Sequence, residues 1–193
     1  ISSVKLSMKR AGEMNKESIA KAVFFDRDGV LNKDKHYLFR IADMEWIPGA
    51  REALAWLHTH GWKIIVVTNQ SGVARGYYTE EDVHRLHDFM AFEAEKAGGA
   101  IDDFFYCPHL KGAPVKAYDK DCSCRKPAPG MILQAMKKHR LLPAEGFLIG
   151  DGARDVEAAR RAGIQGFLFT SGRLDDFLQA CLKQRNMGKE IHG

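Results

Sequence analysis

The sequence predicts an α/β fold, a parallel sheet with helices on both faces, built as one domain. Two patterns carry the prediction. Short continuous apolar runs, rich in β-branched or aromatic residues, alternate along the chain with longer segments of helical pattern. Strands buried on both faces read as such unbroken runs, and strand–helix alternation is the signature of a parallel sheet. The length, 193 residues, is enough for one well-buried core and short for two.

In chain order the expected strands are "AVFF" (22–25), "KIIVVT" (63–68), "FFY" (104–106), "FLIG" (147–150) and "GFLF" (166–169). The helical patterns between and after them cover 49–60, 79–97, 130–140, 153–162 and 174–185. Thr79 and Asp82 have capping-box spacing with the shorter acid. Gly61, Gly98 and Gly163 stand where helices stop. Residues 1–20 are polar and basic with no apolar stretch of the kind a secretory signal carries. They are expected to be a disordered leader, 21–185 the domain, and 186–193 a flexible tail.

Composition narrows the partners. With 45% hydrophobic and 28% charged residues the chain has ordinary globular proportions. A formal charge of +4 without a long Lys/Arg run argues against a nucleic-acid groove and leaves anionic small molecules as natural ligands. No apolar run approaches the roughly 18 residues of a membrane helix. Four cysteines, three of them clustered with a histidine, suit a reducing cytoplasm and a metal better than a disulfide framework. The expectation is a cytoplasmic monomer with no nucleic-acid or membrane partner.

In open α/β sheets ligands sit beyond the carboxyl ends of the strands. The first strand runs into "DRDGVLN", and in extended chain the period of two points Asp26 and Asp28 to the same side. Two like charges facing one space call for a cation. Thr68 and Asn69 follow the second strand and Asp151 the fourth. Three aspartates make a hard, oxygen-rich site suited to Mg²⁺ with a substrate phosphate. Asp26 is then placed to attack phosphorus, dividing one displacement into two, and Asp28 to protonate the leaving alkoxide and later activate water. An Asp-x-Asp pair alone is more often a polar strand end or turn; Thr68, Lys126 and Asp151 in their places tip the reading toward catalysis.

"DRDGVLN", Thr68, Lys126 in "CRKPAPG" and "IGDGARD" resemble, in order, the four motifs of the haloacid dehalogenase superfamily of aspartate-nucleophile phosphatases. The resemblance implies a single Rossmann-like domain with a minimal, loop-only cap. It implies that Asp26 is the nucleophile and a magnesium ligand, and that Asp28 is the acid/base and offers the metal its backbone carbonyl. It further implies that Thr68 and Lys126 hold the transferring phosphoryl group and that Asp151 completes the metal site.

Cys107, His109, Cys122 and Cys124 form a Cys₃His set, and four protein ligands make a closed, structural zinc site. Reduced buried cysteines beside an unrelated histidine, or one disulfide, remain open on composition alone. Zinc would order the loop 107–124, too poor in apolar residues to fold unaided, and with it Arg125 and Lys126. Cys181 is expected to pack within a helix.

With "NQSGVARG" this loop resembles the heptose bisphosphate phosphatases. That resemblance implies removal of the C7 phosphate of D-glycero-D-manno-heptose 1,7-bisphosphate, giving heptose 1-phosphate in nucleotide-heptose and lipopolysaccharide precursor synthesis. Histidinol-phosphate phosphatases share the zinc pairs, typically with a shorter loop; that activity, or that of another small-molecule phosphomonoesterase, is the alternative. The resemblance puts Asp34, Tyr37, Asn69, Gln70, Ser71 and Arg125 in the substrate pocket. It also implies a lysine after the metal aspartate, where this chain has Gly152; Lys33, Arg75 and Arg154 are candidates to replace it. His36 lies near the expected substrate mouth, while His58, His60, His84, His87 and His139 are expected to be solvated or packed helix residues.

Overall fold

Each of the five apolar segments becomes a parallel strand. They are β1 (Ala22–Phe25), β2 (Lys63–Asn69), β3 (Asp103–Cys107), β4 (Gly146–Gly150) and β5 (Gln165–Leu168), in the order β3-β2-β1-β4-β5. The computed structural model describes residues 20–191; the expected leader lies, except for Ala20, outside the described residues.

Alternation along the strands builds two cores. Val23, Phe25, Ile64, Val66, Phe147 and Ile149 face α1 (Ala50–Thr59), α2 (Glu80–Lys96) and α5 (Leu174–Ile191). Ala22, Phe24, Ile65, Val67 and Leu148 face α3 (Gly130–His139) and α4 (Ala153–Arg161). Phe24 and Phe25 are both fully buried on opposite faces. Burial of each such side chain contributes about 1.5–3 kcal/mol, which is why β1 tolerates no polar residue before Asp26.

Helix ends follow the expected signals. Thr79 Oγ1 accepts from the Asp82 N–H at 3.2 Å, and the Asp82 carboxylate accepts from the Thr79 N–H at 2.8 Å, closing the capping box. Between β1 and α1, between β2 and α2 and between β3 and α3 lie only loops and short 3₁₀ turns at Ile41–Asp43 and Lys116–Tyr118, so the carboxyl ends of these strands are bordered by loops rather than by a folded cap. A third such turn, Pro143–Glu145, precedes β4.

The last helix differs from expectation. It was expected to stop at residue 185, yet it runs to Ile191, so the segment 186–191 of the expected flexible tail is helical. Arg185 donates to the carbonyls of Gly146 and Ala144 at 3.1 Å each and lies 4.8 Å from the Phe147 ring centre. That anchor ties the helix to the start of β4 beyond the point where its apolar pattern fades.

Candidate active site

The register of the sheet fixes where the site lies. Phe25 pairs with Val66 and Ile149, and the Asp26 N–H still donates to Ile149 O at 3.0 Å. Asp26 therefore leaves β1 on a held backbone, with only 3% of its surface exposed.

Lys126 arrives from the loop after β3. Its Nζ lies 2.9 Å from Asp26 Oδ1 and 2.5 Å from Asp155 Oδ1, and donates to Val67 O at 2.8 Å. A buried ammonium is costly unless paired and hydrogen-bonded; here two carboxylates and a carbonyl offset that cost. Asn69, at the end of β2, fixes the lysine backbone from both sides. Its Nδ2 donates to Lys126 O at 3.1 Å and its Oδ1 accepts from Lys126 N at 3.0 Å.

Asp155 was not singled out in the sequence. It is fully buried on the first turn of α4, where its Oδ2 accepts from the Gly152 N–H at 3.0 Å. The available signal was "DGARD", an aspartate four residues after Asp151 at a helix start. Gly150 makes room for it, since a Cβ there would meet Asp155 Cβ at 2.1 Å. Gly29, at φ +83°, does the same for Asp151, whose Oδ2 would lie 2.2 Å from any Cβ at that position.

Carboxylate oxygens of Asp26, Asp151 and Asp155 all lie within 4.8 Å of one another. Burial pushes the Asp26 carboxyl up to about 7, with Lys126 pulling it back and Asp155 and Asp28 reinforcing the rise. Burial also raises Asp151, opposed by Arg154 and aided by Asp155. Carboxyls that resist ionising together are relieved by a divalent cation, and this hard oxygen donor set fits Mg²⁺. The Asp28 carboxylate is not part of the convergence. It accepts from Arg27 Nη2 at 2.9 Å, Asn32 Nδ2 at 2.9 Å and Gln70 Nε2 at 3.0 Å.

A cavity of about 230 Å³ opens beside these groups. It gathers Asp34, Tyr37, Asn69, Gln70 and Ser71, together with Asp28 and His36. Gln70 is itself buried, its Nε2 donating to Thr68 Oγ1 at 2.9 Å and its Oε1 accepting from Tyr78 OH at 2.7 Å. His36 and Tyr37 both sit at positive φ, 52° and 60°, an unusual backbone for non-glycine residues that turns both into the cavity mouth.

Arg125 lines a separate cleft of about 300 Å³ with Lys111, Lys120 and Lys126, on the zinc-loop side. Of the three cations considered for the place after Asp151, Arg154 lines the main cavity, 3.4 Å from Asp151 Oδ1 and 3.8 Å from Asp26 Oδ2. Lys33 is paired with Glu45 at 2.5 Å, and Arg75 lies over the Tyr37 ring at 5.7 Å.

The cysteine cluster assembles as a unit. Cys107 ends β3, and ligand atoms of Cys107, His109, Cys122 and Cys124 lie within 4.8 Å of one another. Cys124 Sγ is 3.0 Å from Cys107 Sγ, 3.1 Å from Cys122 Sγ and 3.4 Å from His109 Nδ1, and all four cysteines of the chain are free thiols. The Cys107 thiol beside it, helped by Cys122 and His109 against burial, pulls Cys124 down to about 5. A ready thiolate within a closed soft-donor set fits zinc, with no position left for substrate.

Comparison with known proteins agrees with this geometry. Residues 23–93 match the family model for haloacid dehalogenase-like hydrolases, and residues 123–182 match one for HAD-hydrolase-like proteins. The chain is 44% identical over 161 residues to the D-glycero-β-D-manno-heptose-1,7-bisphosphate 7-phosphatase of Rhodopseudomonas palustris, covering 83% of this chain and 89% of that one. It is 42% identical over 153 residues to the D-glycero-α-D-manno-heptose-1,7-bisphosphate 7-phosphatase of Photorhabdus laumondii, covering 79% and 84%. Its fold is similar to that of the D,D-heptose 1,7-bisphosphate phosphatase of B. bronchiseptica complexed with magnesium and phosphate. The TM-score there is 0.70 and the identity 34%, over 83% of this chain and 86% of the other.

Proposed function

The chain belongs to the haloacid dehalogenase-like hydrolases, and from that premise we propose that it is a Mg²⁺-dependent phosphatase that removes the 7-phosphate of D-glycero-D-manno-heptose 1,7-bisphosphate. The observation that carries the chemistry is the buried contact of Lys126 with Asp26, at 2.9 Å, beside the Asp151 carboxylate. Relatives named for the same reaction over most of their length support the substrate.

Asp26, Asp151 and the Asp28 main chain would hold Mg²⁺, which neutralises the carboxylates and lets an anionic nucleophile approach an anionic phosphate. Asp26 attacks phosphorus. Its Oδ–P bond forms as the P–O bond to C7 breaks, and Asp28 gives its proton to the departing alkoxide. Water then attacks the phosphorus of the aspartyl-phosphate, Asp28 takes the water's proton, and inorganic phosphate leaves with Asp26 restored. Lys126 and Thr68 hold the transferring group throughout. Zinc held by Cys107, His109, Cys122 and Cys124 is structural, fixing the chain that leads into Arg125 and Lys126.

The sugar and its second phosphate would occupy the cavity of Asp34, Tyr37, Asn69, Gln70 and Ser71, with Arg154 as the cation that lines it, while Arg125 stays in the separate zinc-loop cleft. Arg154 takes the place of the lysine absent at Gly152. One phosphatase domain, running to the end of α5 at Ile191, is the working unit, read as a cytoplasmic monomer; the modest charge of +4 speaks against a nucleic-acid partner. Among the described residues no helix is long and apolar enough to cross a membrane.

Phosphate release with Mg²⁺ from both heptose 1,7-bisphosphate anomers, beside histidinol phosphate and fructose 1,6-bisphosphate, tests the substrate. A strong preference for either heptose anomer is expected, and preference for histidinol phosphate overturns the reading.

A further inference from the structure

Arg27, between the two catalytic aspartates in sequence, has no exposed surface. Its Nε and Nη2 donate to Asp28 Oδ1 at 3.2 and 3.1 Å, and Nη2 also to Asp28 Oδ2 at 2.9 Å and to Leu38 O at 2.9 Å. The remaining nitrogen, Nη1, lies 3.3 Å from His87 Nε2, on α2 and 60 residues away. A guanidinium only donates, so His87 Nε2 accepts and the ring is neutral with its proton on Nδ1. That state agrees with burial, reinforced by Arg27 and His84, holding the His87 pKa well below its usual range. His87 is 4% exposed and stacks on Phe104 with ring centres 4.2 Å apart and planes 12° from parallel.

Filling this space with apolar side chains would cost less than burying a cation, so the arrangement calls for a role. Every side-chain partner of Asp28, namely Arg27, Asn32 and Gln70, donates to it. Together these three donors fix the plane of the Asp28 carboxyl beside the cavity that Asp28 lines.

We propose that Arg27 and His87 form a buried relay that positions the Asp28 carboxyl for proton transfer to the leaving alkoxide, making His87 a positioning residue of the reaction. The inference rests on the reading of Asp28 as the acid in the proposed phosphatase. His87 acts through the orientation of Arg27: its stacked ring fixes the one guanidinium nitrogen that does not touch Asp28. Removing that acceptor lets the fork rotate, and Asp28 loses its single orientation.

The test is the rate of the first step, phosphate transfer to Asp26, in single turnovers with two substrates. p-Nitrophenyl phosphate has a leaving group that needs little protonation, whereas β-glycerophosphate releases an alkoxide that needs a proton. His87→Phe is expected to slow transfer from the alkyl phosphate about tenfold more than from the aryl one, a part of the 10²–10⁴ that general acids contribute. His87→Gln, whose amide oxygen can accept from Arg27, should restore most of the difference. Arg27→Lys, which cannot span Asp28 and His87, should reproduce the split if His87→Phe fails to fold. Equal losses on both substrates, or no loss in His87→Phe, would overturn the proposal. Wild-type protein that transfers phosphate neither from these two substrates nor from heptose 1,7-bisphosphate would instead refute the phosphatase reading.

Discussion

Lys126 Nζ stands 2.9 Å from Asp26 Oδ1, with the two side chains 1% and 4% exposed. The same nitrogen lies 2.5 Å from Asp155, so one lysine holds together the end of β1 and the first turn of α4.

Lys126→Met removes the cation and leaves two buried carboxylates facing each other. Breaking a buried pair from one side costs about 3–5 kcal/mol. Urea unfolding should show a loss of that size, with phosphate release abolished. A variant as stable as the wild type would show that the pair is not closed in solution.

The raised Asp26 carboxyl, at about 7 against an ordinary 3.8, gives a pH dependence of known sign. The folded protein holds this proton more tightly than the unfolded chain does. The stability it contributes is therefore full below about 3.8 and is lost as pH rises through 7. Without metal, the melting temperature of wild type should fall relative to that of Asp26→Asn between pH 5 and 8, and Mg²⁺ should restore more at pH 8 than at pH 5. A constant difference between the two proteins would remove the shift.

Cys122→Ser takes one ligand from the zinc set. Zinc content per chain and melting temperature should both drop, because metal binding and ordering of the loop are one equilibrium. An unchanged metal count would rule out the Cys₃His site.

Arg154→Ala should raise KM for the heptose 1,7-bisphosphate by about tenfold or more, in keeping with hydrogen bonds to charged groups worth about 1.5–3 kcal/mol. The KM for a sugar monophosphate should change much less. Gly152→Lys should fold, since a Cβ there has its nearest neighbour at 3.5 Å, and should recover part of the loss in the Arg154→Ala background. Equal KM changes for both substrates would remove Arg154 from the second phosphate.

The central strands β1, β2 and β4 were legible because they are buried on both faces and so read as apolar runs; the parallel register then brings Asp26, Thr68 and Asp151 to one rim. What escaped the sequence depends on tertiary contact. Asp155 reads as an ordinary acid in a helix first turn until Lys126 arrives from a loop nearly thirty residues upstream. His87 reads as one more helix histidine until Arg27 meets it across 60 residues. The extension of α5 to Ile191 depends on Arg185 reaching the start of β4. Arg125 lines the zinc-loop cleft rather than the main cavity because of the course of its loop, which no periodicity encodes.

The most direct measurement is an acid quench of the wild-type protein during turnover of heptose 1,7-bisphosphate with Mg²⁺, followed by mass analysis of the peptide that contains Asp26. The account predicts phosphate on that peptide, formed and lost at rates that sustain turnover, and its absence in folded, inactive Asp26→Asn. Sustained turnover with no phosphate on the peptide, or an active Asp26→Asn protein, would contradict it.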